Sequence, residues 1–139
     1  MGTIHESITI NADPATVWDL AGDPARIAEW VPALATSTAD GDRRSCTLQD
    51  GGDLDERILE RSDEERFYEY EIVEGPMPVS SYRSRLSVEG HDGHSHVDWE
   101  AEFAPQEREQ EQELTEMVSG LYREGLDSLR ERLESRESA

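Results

Sequence analysis

"EYEIVEGPMPVSSYRSRLSVEG", residues 69–90, reads as two strands with an unusual joint between them. Both runs alternate apolar and polar residues, the period-two mark of a half-buried strand. A polar hairpin would set two turn residues such as Asn-Gly at the joint. Here Glu74-Gly75-Pro76-Met77-Pro78 fills it, so an apolar side chain stands at a loop tip between two prolines. So short a connection favours antiparallel neighbours, because a parallel crossover needs roughly a dozen residues or more.

The same pattern extends both ways along the chain. Strands are expected near 33–39, 44–50, 53–61, 65–74, 80–90 and 95–104. The turns between them are Asp40-Gly41-Asp42, Asp50-Gly51-Gly52, Ser62-Asp63-Glu64, the Gly-Pro-Met-Pro loop and His91-Asp92-Gly93-His94. Turn signals this regular argue for an antiparallel meander. Upstream, Ile4 to Ile10 alternates and adds a first strand. Asp13-Pro14 and Asp23-Pro24 each join an N-cap residue to a proline at the first helical position. They predict two short helices, "PATVWDLAG" ending at Gly22 and "PARIAEWV" stopped by Pro32.

After Pro105 the helical period takes over. Leu114, Met117, Val118, Leu121, Tyr122, Leu129 and Leu133 fall on one face. Glu107, Glu109, Glu111 and Glu113 crowd the start and Arg130, Arg132 and Arg136 lie near the end, both suited to the helix dipole. At 1.5 Å per residue, a helix of about 25 residues runs ~40 Å, enough to cross a sheet. No repeat or linker interrupts the chain, so residues 1–139 read as one domain of the α+β class.

Composition narrows the partners. Hydrophobic residues make up 35% of the 139, low for a globular chain but above a disordered one. There are 33 acidic residues against 13 basic ones, every basic one is arginine, and the net charge is −20. Such a charge repels nucleic acid and anionic membranes, so neither is an expected partner. Acidity without lysine is frequent where concentrated salt screens self-repulsion, and it also arises in an acidic, arginine-biased proteome in ordinary salt. No apolar run is long enough to span a membrane. The opening "MGTIHESITI" lacks a basic segment followed by an apolar stretch, so no secretion signal is expected. Cys46, the only cysteine, excludes an internal disulfide and agrees with a cytoplasmic location.

Side chains alternate faces along a strand, so the apolar members mark the inner face. Val97, Trp99, Ala101 and Phe103 point inward on the last strand, and Tyr82, Ser84, Leu86 and Val88 on the one before it. Arg83 and Arg85 then face water. Tyr68, Tyr70 and Ile72 share the inner face of "FYEYEIV". On "LDERIL", Leu54, Glu56 and Ile58 form one set and Arg57 and Leu59 a rival one; the first brings Glu56 inside. Gly125 sits within the helical stripe, either to leave room for a ligand or to let the helix approach the sheet. The H-x-x-H-x-H run at His91, His94 and His96 lacks the spacing of a known metal site, so no metal is expected. Nothing near Cys46 in sequence would lower its pKa, so it reads as a small buried hydrophobe.

One strand, two short helices, six antiparallel strands and a long final helix is the order of the helix-grip fold. On "ADPATVWDLAGDPARIAEWVP", "DGGDLDERIL", "YEYEIVEGPMPVSSY" and "VDWEAEF", the chain resembles the START-related SRPBCC superfamily, and within it the polyketide cyclase/dehydrase group. The resemblance implies a seven-stranded curved sheet wrapped around the last helix, with a cavity for an apolar small molecule between them. Successive meander turns alternate ends, so the Asp50 turn and the Met77 loop share one end, where related folds close the pocket mouth. Met77 is then either a lid residue or core filling against the final helix.

The implied pocket residues are Trp30, Glu56, Tyr68, Tyr70, Met77, Tyr82, Ser84, Trp99, Met117 and Leu121. An apolar surface with a few polar groups suits an oxygenated lipophile. If the chain is an enzyme, Glu56 is the candidate base, given a pKa raised by burial, and Tyr70 and Tyr82 are candidate donors to an enolate oxygen. No lysine and no inner-face histidine accompany them, so non-catalytic binding of a hydrophobic, lipid- or polyketide-like molecule is the first reading. A cyclase or dehydrase acting in the same pocket is the second, and a co-chaperone-like protein-interaction module the third. No cofactor is expected, and the chain would act as a monomer or homodimer.

Overall fold

The structure, a computed structural model, describes residues 1–138, with side chains up to Glu134. Seven strands follow the alternating segments: β1 (Gly2–Ile10), β2 (Leu34–Asp40), β3 (Arg43–Leu48), β4 (Asp53–Ser62), β5 (Phe67–Glu74), β6 (Val79–His91) and β7 (His94–Pro105). They form one antiparallel sheet in the order β1-β7-β6-β5-β4-β3-β2. Only β1 leaves chain order, pairing with the last strand through Gly2↔Phe103 to Ile10↔Ser95. The meander expected from the turns is thus the sheet observed.

Three hairpin turns use glycines at φ +62° (Gly41), +95° (Gly51) and +85° (Gly93), a region other side chains rarely adopt. The turn after β4 instead puts the left-handed residue at Arg66, later than the Ser62-Asp63-Glu64 signal, and Val88 N–H bonds back to Arg66 O at 2.9 Å. Register shifts in β4, between Asp55 and Glu56 and between Ile58 and Glu60, break the ladder with β5. Bulges of this kind bend a strand and increase its twist, which curls the sheet.

The curled sheet holds α2 (Glu111–Ser138, 28 residues) on its concave side. Leu114, Val118, Tyr122, Leu126, Leu129 and Leu133 are buried, a spacing of three and four that keeps one helix face on the strands. Leu126, absent from the sequence stripe, belongs to it, while Met117 lies half exposed at its edge. The Arg136 side chain lies outside the described residues. No helix among them is long and apolar enough to cross a membrane.

Between β1 and β2, α1 (Pro14–Ala21) begins with proline and ends at Gly22. A Cβ on Gly22 would lie 2.2 Å from the Trp18 indole, so glycine is what lets that ring fold over the helix end. The second expected helix is a 3-10 helix, Pro24–Glu29, capped by the Asp23 side chain on Ala25 N–H. Ser37 of β2 explains the tighter winding: its hydroxyl donates to Ala25 O at 2.7 Å and accepts from Ala28 N–H at 3.1 Å. Partners outside the helix replace the bonds an α-helical turn would make within it.

Candidate functional site

Where β3 turns into β4 and β5 into β6, the two loops come together, with Gly52 against the ring of Pro76. Below them a cavity of about 620 Å³ runs between the concave sheet and α2. It reaches the surface, because Asp50, Pro76 and Glu113 line it and are exposed. Its walls are mainly apolar: Leu48, Leu54 and Ile72 from the strands, Leu114, Met117 and Leu121 from α2, Met77 from the loop. That volume falls within the range of small-molecule pockets.

Glu56 supplies the carboxylate inside. Past the first β4 bulge its side chain turns inward and is 4% exposed. Its Oε1 accepts from Arg44 Nε at 2.7 Å, and both side chains are buried. Arg44 also donates through Nη1 to Tyr68 OH (3.0 Å) and Pro24 O (3.4 Å), and its guanidinium lies 4.6 Å from the Tyr70 ring centre. Its Nη2 has no partner among the described residues. Burial works against the arginine charge, but the facing Tyr68 and Glu56 outweigh it and hold the group well above its ordinary value. A buried ion pair survives only when its geometry is this close.

Tyr70, Tyr82 and Tyr122 converge at the other polar spot. The Tyr82 and Tyr122 hydroxyls share a hydrogen bond, Tyr122 also bonds Ser84 Oγ at 2.9 Å, and Ser84 donates to Glu100 O. Trp99 Nε1 donates to Tyr70 OH at 3.2 Å and Ser84 Oγ at 3.1 Å, while its ring stacks on Tyr122 at 3.8 Å. Burial first, then neighbouring tyrosines, pushes all three phenols well above their usual range, so they stay neutral. Neutral hydroxyls in a dry wall are hydrogen-bonding groups and poor bases.

Of the residues expected at the pocket, Glu56, Tyr70, Met77, Tyr82, Trp99, Met117 and Leu121 line the cavity. Trp30, Tyr68 and Ser84 do not: they stand behind it. Trp30 packs on Trp99 at 5.3 Å, Tyr68 faces Arg44, and Ser84 ties Trp99 to Tyr122. Large aromatic neighbours shield all three from the open space. Met77 packs on the core and lines the cavity next to the exposed Pro76. Gly125 serves close packing, since a Cβ there would lie 3.2 Å from Trp99 and 3.3 Å from Val31. Cys46 is buried with Sγ 3.8 Å from Glu56 Oε1, and burial followed by that carboxylate pushes its thiol up to about 12. Such a thiol is inert as a nucleophile.

Arg44 was not anticipated. Reading Arg83 and Arg85 as outward-facing holds, but a third arginine is buried in the wall beneath the carboxylate. The signal was available, because Arg44, Cys46 and Leu48 share one parity on β3, and the last two are apolar.

A family profile described as polyketide cyclase / dehydrase and lipid transport matches residues 1–134. The solved structure of the protein XoxI from Bacillus cereus is 30% identical, with a TM-score of 0.93 over 99% of each chain. Zhui aromatase/cyclase from Streptomyces sp. R1128 is 14% identical, at a TM-score of 0.84 over 96% of this chain and 94% of that one. A START superfamily protein from Mycobacterium smegmatis is 9% identical, at 0.82 over 97% and 99%. The last two likenesses are of fold alone, the helix-grip arrangement expected from the sequence. No curated protein matches the chain.

Proposed function

Since the chain belongs to the polyketide cyclase / dehydrase and lipid transport family, a branch of the SRPBCC superfamily, we propose that it binds one apolar or aromatic small molecule between the sheet and α2. One observation carries this reading: the cavity of about 620 Å³, apolar on most sides, with Glu56 and the hydroxyls of Tyr70, Tyr82 and Tyr122 as its inner polar groups. A shape-filling apolar body would supply affinity and those few groups its orientation. Met77, flanked by Pro76 and Pro78, acts as an apolar lid at the mouth on a loop the prolines stiffen. The domain, residues 1–139, works in the cytoplasm as a monomer or homodimer, with no cofactor or nucleic-acid partner. The surplus of acidic residues without lysine supports a setting of concentrated salt.

Binding is preferred to catalysis because Glu56 is tied to Arg44 at 2.7 Å. To take a proton it would have to weaken the bond that compensates a buried guanidinium. The family description favours cyclase or dehydrase chemistry as the second reading, with the three tyrosines as donors. The protein-interaction reading has less support, since the apolar surface is gathered into a cavity.

Native mass spectrometry with a panel of polycyclic aromatics and long-chain lipids tests the proposal. One-to-one complexes are expected, weakened several-fold by Met77→Ala and by Tyr82→Phe. Absence of binding by every compound, in low and in molar salt, would overturn it.

A further inference from the structure

We propose that the cavity selects its ligand by charge, taking a neutral apolar molecule that donates a hydrogen bond to Glu56 and rejecting its carboxylate-bearing counterpart. The inference rests on the pocket reading above and adds the chemistry of what enters.

Three carboxylates line the cavity, Glu56 inside and Asp50 and Glu113 at the mouth, and no basic residue joins them among the described lining residues. The nearest cation, Arg44, is 0% exposed at its side chain and gives Nε to Glu56. Both bonds that Glu56 receives, from Arg44 Nε and Cys46 Sγ, reach Oε1. No described residue donates to Oε2. A carboxylate oxygen only accepts, so the complementary ligand group is a hydroxyl or N–H donor.

None of the neighbouring phenols bonds Glu56: the Tyr82 and Tyr122 hydroxyls bond each other, and the Tyr70 hydroxyl, which accepts from Trp99, does not reach the carboxylate with its own proton. An anion meets the opposite situation. It passes two exposed carboxylates and then faces a third with no lining cation to receive it, and like-charge contact is an effective means of rejecting wrong partners. Arg44 Nη2, buried and without a partner among the described residues, is a cationic donor that would draw an anion inward. Glu56 answers its charge, so Glu56 is the specificity-determining residue.

The test pairs 2-naphthol with 2-naphthoate, one ring system neutral at pH 7 and the other anionic. Quenching of tryptophan fluorescence reads both titrations on the full chain, since Trp99 lines the cavity. 2-Naphthol is expected to bind at least about tenfold more tightly in 0.1 M salt. Glu56→Gln leaves Arg44 without its countercharge, so it is expected to shift the ratio at least about tenfold toward 2-naphthoate. Loss of a buried partner can also unfold a protein, so a second variant carries the test alone. Asp50→Asn with Glu113→Gln, both at exposed positions, is expected to shift the affinity ratio several-fold toward 2-naphthoate.

Equal binding of the two rings by the unaltered chain, or tighter binding of 2-naphthoate, overturns charge selection and leaves the pocket standing. So does a folded Glu56→Gln protein with the original ratio. Binding of an unsubstituted polycyclic hydrocarbon but not of 2-naphthol overturns donation to Glu56. If no apolar compound binds, the pocket reading falls and this inference with it.

Discussion

Arg44 and Glu56 sit 2.7 Å apart, Arg44 with no exposed side chain and Glu56 with only its cavity edge uncovered, so each is the condition for the other. Removing one leaves a buried charge without compensation, at a cost of about 3–5 kcal/mol. Replacing both with apolar residues of similar volume removes the desolvation penalty along with the attraction and is often neutral. Arg44→Met or Glu56→Leu alone is therefore expected to lower unfolding free energy by about 3–5 kcal/mol. The double variant should recover most of that loss. Urea denaturation of the four proteins measures the cycle; additive losses would mean that the pair does not act as a unit. Sequence reading brought Glu56 inside through its parity with Leu54 and Ile58, yet left Arg44 unnoticed. Alternation identifies a charged inner residue only when its strand neighbours are firmly apolar. On β3 they are Cys46 and Leu48, a weak pair that ends at a turn.

Along α2 two glycines five positions apart face opposite circumstances. A Cβ on Gly120 would meet nothing within 4 Å. Alanine there gains the usual helix-interior advantage, so Gly120→Ala is expected to stabilise by about 0.5–1 kcal/mol. At Gly125 the new methyl would press on Trp99, Val31 and Trp30 at 3.2 to 3.5 Å. Those side chains are at most 2% exposed and cannot yield without disturbing the wall of the cavity. Overpacking of this kind costs about 1–3 kcal/mol, which exceeds the propensity gain, so Gly125→Ala is expected to destabilise. Thermal unfolding of the two variants checks the opposite signs; stabilisation by both would show that α2 is free to lift from β7. Elements were the most legible level of this protein. Seven strands and a long final helix follow from periods of two and of three to four, and both depend only on which side faces the core. The second short helix stands where it is expected, but proline and an N-cap mark only where a helix begins, and its 3-10 winding goes with bonds to Ser37, a residue from another strand. The cavity itself escaped periodicity, which separates inner from outer but not lining from filling. Trp30, Tyr68 and Ser84 therefore looked the same as Trp99 and Tyr82.

At the scale of the molecule, 33 acidic residues against 13 arginines leave a net charge of −20. Many arginines are already engaged on the surface: Arg26 with Glu29, Arg57 with Glu71, Arg83 and Arg85 with Glu69, Arg123 with Glu6. Salt acts on both populations in opposite directions. It weakens the exposed pairs, each worth about 0–1 kcal/mol, and it relieves repulsion among the surplus carboxylates. The net repulsion wins because the surplus is larger in number, whereas many exposed pairs contribute nothing measurable. Screening shortens the reach of a charge from ~10 Å at 0.1 M to ~3 Å at 1 M, below the spacing of most neighbouring surface groups. The unfolding midpoint is therefore expected to rise with sodium chloride from 0.05 M and to level off near 1 M. Each kcal/mol gained would add about 4 °C for a chain of this length. Arg44 and Glu56, almost wholly buried, are screened far less than the exposed pairs, so the double-variant cycle run at both salt concentrations should give nearly the same interaction energy. A midpoint that falls with salt would mean that the arginine pairs hold the surface together. The acidity would then be ballast for solubility in ordinary salt rather than a feature of concentrated brine.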